Sequence, residues 1–210
     1  MRNKTDYSLY LVTDQKLMSS PTLQEGVEAA LLGGCTMVQL REKDASSLLF
    51  YETAVTIKKI SDRFGVPLII NDRADIALAV DASGLHVGQS DLPVAVARRL
   101  IGPDRLLGAS VSTLAEAQKA VADGADYLGV GAMFATATKD DADLVTMETL
   151  AAIRKAVSVP LVVIGGINAK TAPSFAECGI DGLAVVSAIL SQPDITRAAQ
   201  NLLQIFKGLK

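Results

Sequence analysis

The sequence predicts a (β/α)8 barrel that takes up residues 1–210 as one domain. Three observations predict it. Eight short β-rich runs recur at a spacing of roughly 26 residues, segments of helical periodicity separate them, and the apolar residues are aliphatic rather than aromatic. Half of the residues are hydrophobic and only 4% are aromatic, so the interior must be built of Val, Ile, Leu and Ala, as in parallel sheets covered on both faces. Nothing in the composition marks a boundary that would divide the chain in two. Periodicity alone does not show closure, so an open doubly wound sheet is the alternative to the TIM barrel.

The elements follow in order. The β-rich runs read "SLYLVT", "TMVQL", "VPLII", "GLHVG", "LLGASV", "DYLGVG", "PLVVIGG" and "DGLAVVS". In the first intervening segment Leu23, Val27, Ala30 and Leu31 fall at i, i+4, i+7 and i+8, one face of a helix. In the last, Ile195, Ala198, Ala199, Leu202, Leu203 and Phe206 do the same. Pro21 and Pro193 stand before or at helix starts, where a missing N–H is harmless. Gly33, Gly34, Gly102, Gly124 and Gly179 follow helices, where a left-handed cap suits glycine. Thr113 is placed to cap the helix after the fifth strand.

Charge and cysteine usage exclude several classes of function. The formal net charge is −3 with no run of Lys and Arg, which argues against nucleic acid or an anionic membrane as partner. Cys35 and Cys178 belong to no CxxC and read as buried, reduced thiols. With no signal-like or membrane-length apolar stretch, the expected location is cytoplasmic. Assembly into a homo-oligomer stays open. One histidine, His86, and no HExxH or cysteine cluster leave no zinc site, and no GxSxG or Ser/His/Asp set can be assembled. A lone histidine within a strand reads as a hydrogen-bonded core residue.

Barrel active sites lie at the C-terminal ends of the strands, so the polar residues just after each apolar run carry the functional reading. After the second run, in "VQLREKD", alternation places Gln39, Arg41 and Lys43 on one face, with Val38 and Leu40 toward the helices. Two cations and an amide at the barrel mouth suit a polyanion such as diphosphate. The plainer reading is a solvated strand end whose cations are neutralised by Glu42 and Asp44. After the third and fourth runs come Asn71 and Asp72, then Gln89 and Asp91. Each aspartate alone is placed to cap a helix. Adjacent strands lie about 5 Å apart, so Asp72 and Asp91 together can form a pair of the kind that holds Mg2+ alongside substrate phosphate. Ser110 ends the fifth strand, either as a phosphate donor or as the start of a turn. "VVIGGIN" and "AVVSAIL" place Gly165, Gly166, Val186 and Ser187 after the seventh and eighth strands, where barrels recurrently bind a phosphate monoester.

The ordered set "QLREKD", "NDRADIA", "HVGQSD", "TATKDDA" and "IGGIN" spans nearly the whole chain and resembles the thiamine-phosphate synthase family. That family is similar in fold to the barrel argued above and joins a pyrimidine diphosphate to a thiazole phosphate, releasing diphosphate. The resemblance implies that Gln39, Leu40, Arg41, Glu42, Lys43, Asn71, Ser110 and Lys139 meet the pyrimidine diphosphate. It assigns Asp72 and Asp91 to Mg2+, and Thr136, Ala137, Thr138, Gly166, Val186 and Ser187 to the thiazole phosphate. Arg41, Lys43 and Lys139 are the implied catalytic cations. The connection from Ala132 to Val145 is longer than its counterparts and reads as a lid over two anionic substrates. The family usually reads "GPIFPT" where this chain has "GAMFAT", so Ala132 and Ala135 replace two prolines. The rival readings are a related thiazole tautomerase and a non-catalytic barrel that binds thiamine phosphate.

Overall fold

A computed structural model describes residues 5–135 and 144–209 of the chain. Its strands are β1 (Leu9–Val12), β2 (Met37–Leu40), β3 (Leu68–Asn71), β4 (Gly84–Val87), β5 (Leu106–Val111), β6 (Tyr127–Val130), β7 (Leu161–Val163) and β8 (Gly182–Val185). They pair in parallel in chain order, and β8 closes the barrel on β1 through Leu9–Leu183, Tyr10–Ala184 and Leu11–Val185. Closure excludes the open sheet.

Outside the barrel run α1 (Leu23–Leu32), α2 (Ser47–Phe64), α3 (Ala74–Ala79), α4 (Val94–Ile101), α5 (Leu114–Ala122), α6 (Met147–Ala156), α7 (Ser187–Leu190) and α8 (Ile195–Lys207). Side chains of Thr22, Ser46, Thr146 and Asp194 accept first-turn N–H groups of α1, α2, α6 and α8. Thr113 forms a reciprocal capping box with Glu116. The glycine pair after α1 divides its work: Gly33 stays right-handed while Gly34 takes φ +96°.

One expected helix is missing. Between β7 and β8 only a 3-10 turn forms, Ala172–Phe175. The start of a helix is in place, since the Asn168 side chain accepts from the N–H groups of Lys170 and Thr171 and its carbonyl accepts from Ala172 N–H, but the winding ends at Phe175. Phe175 still fills the core beneath that turn.

Two apolar layers result from strand alternation. Leu9, Leu11, Val38 and Leu40 pack outward against the helices, while Tyr10, Val12, Met37, Ile69, Tyr127 and Val162 fill the barrel. At the far end from the strand C-termini, Arg98 of α4 donates to the carbonyls of Gly102, Arg105 and Gly124 and pairs with Asp126 at 2.5 Å. Asp126 in turn accepts Leu107 N–H at 2.8 Å, which ties α4 to the start of β6 and to β5.

Both cysteines are free thiols. Cys35 is buried as expected, and burial pushes its thiol up to about 12. Cys178 departs from expectation: it is only partly covered, because it follows the irregular 3-10 turn rather than a packed helix. Among the described residues no helix is long and apolar enough to cross a membrane.

Candidate active site

The last inward-facing positions of β2 to β5 are polar, and they stand side by side. Gln39 is buried and its amide donates to Tyr10 OH at 2.8 Å. Asn71 pairs in register with His86, and its amide donates to Asp72 at 2.6 Å. Ser110 Oγ lies 2.9 Å from His86 Nε2, and its carbonyl accepts from Gln89 at 2.7 Å. His86 is thus a bonded core residue, with Nδ1 also 3.0 Å from Tyr127 OH.

Above this layer sit the charges. Arg41 pairs with Asp14 at 3.2 Å, and its N–H donates to Thr13 Oγ1 at 3.0 Å. Lys43 pairs with Asp72. The plainer reading, neutralisation by Glu42 and Asp44, is met only in part: the Arg41 charge acts on both acids, but neither forms an ion pair with Arg41 or Lys43. Asp44 holds Lys16 at 2.6 Å, and Glu42 accepts from Gln15 at 2.9 Å. Burial lifts the Glu42 carboxyl above its ordinary value, with the Gln15 bond opposing the rise. Leu40 is fully buried against the helices, so any contact it makes with a bound molecule runs through its backbone.

Neither candidate metal ligand caps a helix. The N-cap positions of α3 and α4 are Arg73 and Pro93, and neither makes a side-chain cap bond. Asp72 instead takes φ +63°, a left-handed conformation that non-glycine residues adopt at an energetic cost, and its N–H is held by the His86 carbonyl at 2.8 Å. Asp91 accepts Gly88 N–H at 2.8 Å. The two carboxyls act on one another, so a shared proton or a nearby cation favours the pair over two bare charges. Partial burial, then the contact with Asp91, raises the Asp72 carboxyl, and the Lys43 ammonium opposes the rise. Burial also pushes Asp91 upward, but hydrogen bonds from Asp72 and Gly88 N–H, with Lys43 nearby, outweigh it and leave Asp91 below its ordinary value. Two hard oxygen donors beside Lys43 and near Arg41 are a donor set that fits Mg2+. No third His, Cys, Asp or Glu joins them among the described residues.

A second subsite opens over β7 and β8. A cavity of about 280 Å³ is lined by residues that include Gly165, Gly166, Asn168, Val186, Ser187 and Ala188. The N–H groups of Gly165, Gly166, Ser187 and Ala188 donate to no other described residue. Backbone N–H groups with no described partner, on residues that line one concavity, suit an anion. Gly165 and Gly166 have φ +94° and +65°, and the Gly166 carbonyl is held by Asn168 and Thr171, both at 3.0 Å.

The stem of the long connection lies against this cavity. Met133 N–H donates to Ile164, Phe134 N–H to Gly165, and Val145 N–H to Ala132, at 2.9, 3.1 and 2.8 Å. The Phe134 ring meets Phe175 edge-on at 5.9 Å. Thr136, Ala137, Thr138 and Lys139 lie outside the described residues, as does most of the segment read as a lid. The structure therefore brings Gln39, Arg41, Lys43, Asn71, Asp72, Asp91 and Ser110 to one side of the mouth. Gly166, Val186 and Ser187 stand on the other.

Three participants escaped the sequence reading. Asp14, which holds Arg41, follows β1 as the other acids follow their strands, so the strand-end rule would have found it. Tyr10 and Tyr127 lie inside β-rich runs with nothing to mark them, and only the closed barrel joins their hydroxyls at 2.8 Å.

Comparison with known proteins supplies the context. The family model for thiamine monophosphate synthase matches residues 9–189. A thiamine-phosphate synthase of Clostridium beijerinckii is 60% identical over 202 residues, covering 96% of this chain and 97% of that one. One from Ruminiclostridium cellulolyticum is 59% identical over 206 residues, 98% of each. Among solved structures, a thiamine phosphate pyrophosphorylase from Pyrococcus furiosus superposes with a TM-score of 0.90 at 38% identity, covering 98% of both chains. A 3-hexulose-6-phosphate synthase, at 20% identity and a TM-score of 0.67, shares the fold alone.

Proposed function

The chain belongs to the thiamine monophosphate synthase family, and we propose that its two mouth subsites perform that family's condensation in a Mg2+-dependent way. The reaction joins 4-amino-2-methyl-5-hydroxymethylpyrimidine diphosphate to 4-methyl-5-(2-hydroxyethyl)thiazole phosphate, giving thiamine phosphate and diphosphate. One observation carries the reading. A carboxylate-and-cation cluster over β2 to β4 and a cavity of undonated N–H groups over β7 and β8 open at the same end of one barrel.

The pyrimidine diphosphate lies over β2 to β5. Arg41 and Lys43 exchange Asp14 and Asp72 for the diphosphate oxygens, with Lys139 joining from the long connection. Asp72 and Asp91 would hold Mg2+, whose charge would help neutralise the diphosphate. As the bond between the exocyclic CH2 and diphosphate oxygen breaks, the cations stabilise charge that grows on the leaving group. An electron-rich aminopyrimidine can carry the complementary positive charge. The thiazole phosphate is gripped by the Gly166 and Ser187 loops, and the family resemblance adds Thr136 and Thr138 to that grip. That grip places the thiazole nitrogen to attack the CH2 carbon, and positioning two bound reactants supplies several kcal/mol by itself. No side-chain base is required, in keeping with a chain whose one histidine is bonded at both ring nitrogens. A tautomerase would need an acid–base group over the thiazole and has no use for paired aspartates.

Mixing both substrates with the protein and Mg2+ tests the reading. Thiamine phosphate and diphosphate should appear in equal amounts. Isomerised thiazole phosphate without diphosphate would indicate a tautomerase, and tight thiamine phosphate binding without turnover would indicate a binding protein.

A further inference from the structure

Five side chains from five strands form one hydrogen-bonded row across the barrel interior. Gln39 Nε2 donates to Tyr10 OH at 2.8 Å, and Tyr10 OH lies 2.8 Å from Tyr127 OH. Tyr127 OH lies 3.0 Å from His86 Nδ1, and His86 Nε2 lies 2.9 Å from Ser110 Oγ. Tyr10 and Tyr127 are sealed from solvent, and burial raises both phenols far above their usual range, so each keeps its proton. The two ends of the row, Gln39 and Ser110, are residues assigned above to the pyrimidine diphosphate. The middle three touch no substrate in that assignment.

A row of groups that each carry one proton has a direction. With the Gln39 amide donating, Tyr10 passes its hydrogen to Tyr127, and Tyr127 passes its own to Nδ1. The neutral imidazole then carries its hydrogen on Nε2 and donates to Ser110 Oγ, which leaves the serine hydrogen free to point out of the row. With every bond reversed, Gln39 presents its carbonyl, Nδ1 carries the hydrogen, and Ser110 spends its own hydrogen on Nε2. Ser110 would then offer only lone pairs to whatever lies above it. A phosphate oxygen is an acceptor, so only the first direction is productive.

The barrel has made room for this row. Gly108 is in register with His86 on one side and Tyr127 on the other. A Cβ at Gly108 would fall within the van der Waals shells of the Tyr127 phenol and His86 Nδ1. β5 therefore leaves open the space in which those two groups bond.

We propose that Tyr10, Tyr127 and His86 are positioning residues which fix the direction of this row, so that Ser110 meets the diphosphate as a hydrogen donor. The kinetic part rests on the function proposed above; the direction of the row does not. Because His86 is the only histidine in the chain, ring 15N labelling reports it without ambiguity. In the substrate-free protein at neutral pH, Nε2 should be protonated and Nδ1 bare. A hydrogen on Nδ1, or on both nitrogens, overturns the proposal whatever the enzyme does. Tyr127→Phe, and independently Gly108→Ala, should convert the single form to a mixture of tautomers. Tyr127→Phe leaves the Gln39–Tyr10 bond in place and so reports on the Ser110 end. It should lower kcat/KM for the pyrimidine diphosphate about tenfold, the effect of one misdirected hydrogen bond. In a Ser110→Ala background the same substitution should change kcat/KM less than twofold. An equal tenfold loss in both backgrounds would show a merely structural role and refute the positioning claim. Absence of turnover in the unmodified protein would instead remove the functional reading, while the tautomer result stands on its own.

Discussion

Gly166→Ala probes the thiazole phosphate subsite through its backbone. At φ +65° an L side chain sits in the left-handed region, at about 1–2 kcal/mol. Its Cβ would lie 2.7 Å from Phe134 Cβ and 3.0 Å from the Ala135 carbonyl oxygen. Ordinary carbon contacts are about 3.5–4.0 Å, so the stem at Phe134 must retreat by roughly 1 Å. That movement breaks the 3.1 Å bond from Phe134 N–H to Gly165, worth about 0.5–1.5 kcal/mol. Together the two effects amount to about 1.5–3.5 kcal/mol, concentrated on the loop that would grip the phosphate. Steady-state assays should find KM for thiazole phosphate raised about tenfold or more, with KM for the pyrimidine diphosphate changed less than about twofold. Thermal unfolding should move down by about 3–14 °C. If melting drops as stated while KM for thiazole phosphate stays at the unmodified value, the phosphate does not bind at this loop.

Arg98→Ala should lower unfolding stability by about 2–4 kcal/mol in denaturant titration, because three carbonyls lose the guanidinium's N–H groups and Asp126 loses its ion pair at once; a loss under 1 kcal/mol would mean water replaces the guanidinium. Ala135→Pro should lower KM for thiazole phosphate about two- to fivefold, since its N–H donates to no other described residue and proline removes about 0.4–1 kcal/mol of backbone entropy from the open connection; an unchanged KM would show that other contacts already order it. The carboxylate pair sets a pH dependence. Asp72 keeps its proton to higher pH folded than unfolded, so its contribution to metal-free stability is present at low pH and fades as pH rises through the folded value. Bound Mg2+ needs the deprotonated pair, so the rise in Tm on adding MgCl2 should grow over that same interval, and a shift independent of pH would place the metal elsewhere.

Much of this was legible from the sequence, because strand-end chemistry in a parallel barrel is local. Gln39, Arg41 and Lys43 share a face by alternation, and Gly165–Gly166 announces its loop by residue type. What could not be read depends on closure or on competing local bonds. Thr113 looked like a cap and is one, whereas Asp72 and Asp91 also looked like caps and are not. The difference lies in the facing strand, whose His86 carbonyl holds Asp72 N–H away from the helix. The Tyr10–Tyr127 contact spans 117 positions and leaves no periodic trace. Arg98 is one of two arginines side by side on a helix, and nothing in its neighbours distinguishes the one that anchors the barrel from the one that does not.

The pairing of Asp72 with Asp91 around one Mg2+ is the point on which the proposed chemistry turns. The direct measurement is diphosphate release with both substrates saturating, in EDTA and on return of Mg2+, for the unmodified protein and for Asp72→Ala, Asp91→Ala and the double variant. Release should stop in EDTA and recover with Mg2+, and each single variant should lose at least about a hundredfold in turnover while its circular dichroism spectrum is unchanged. Full turnover in EDTA, or in the double variant, would contradict the account.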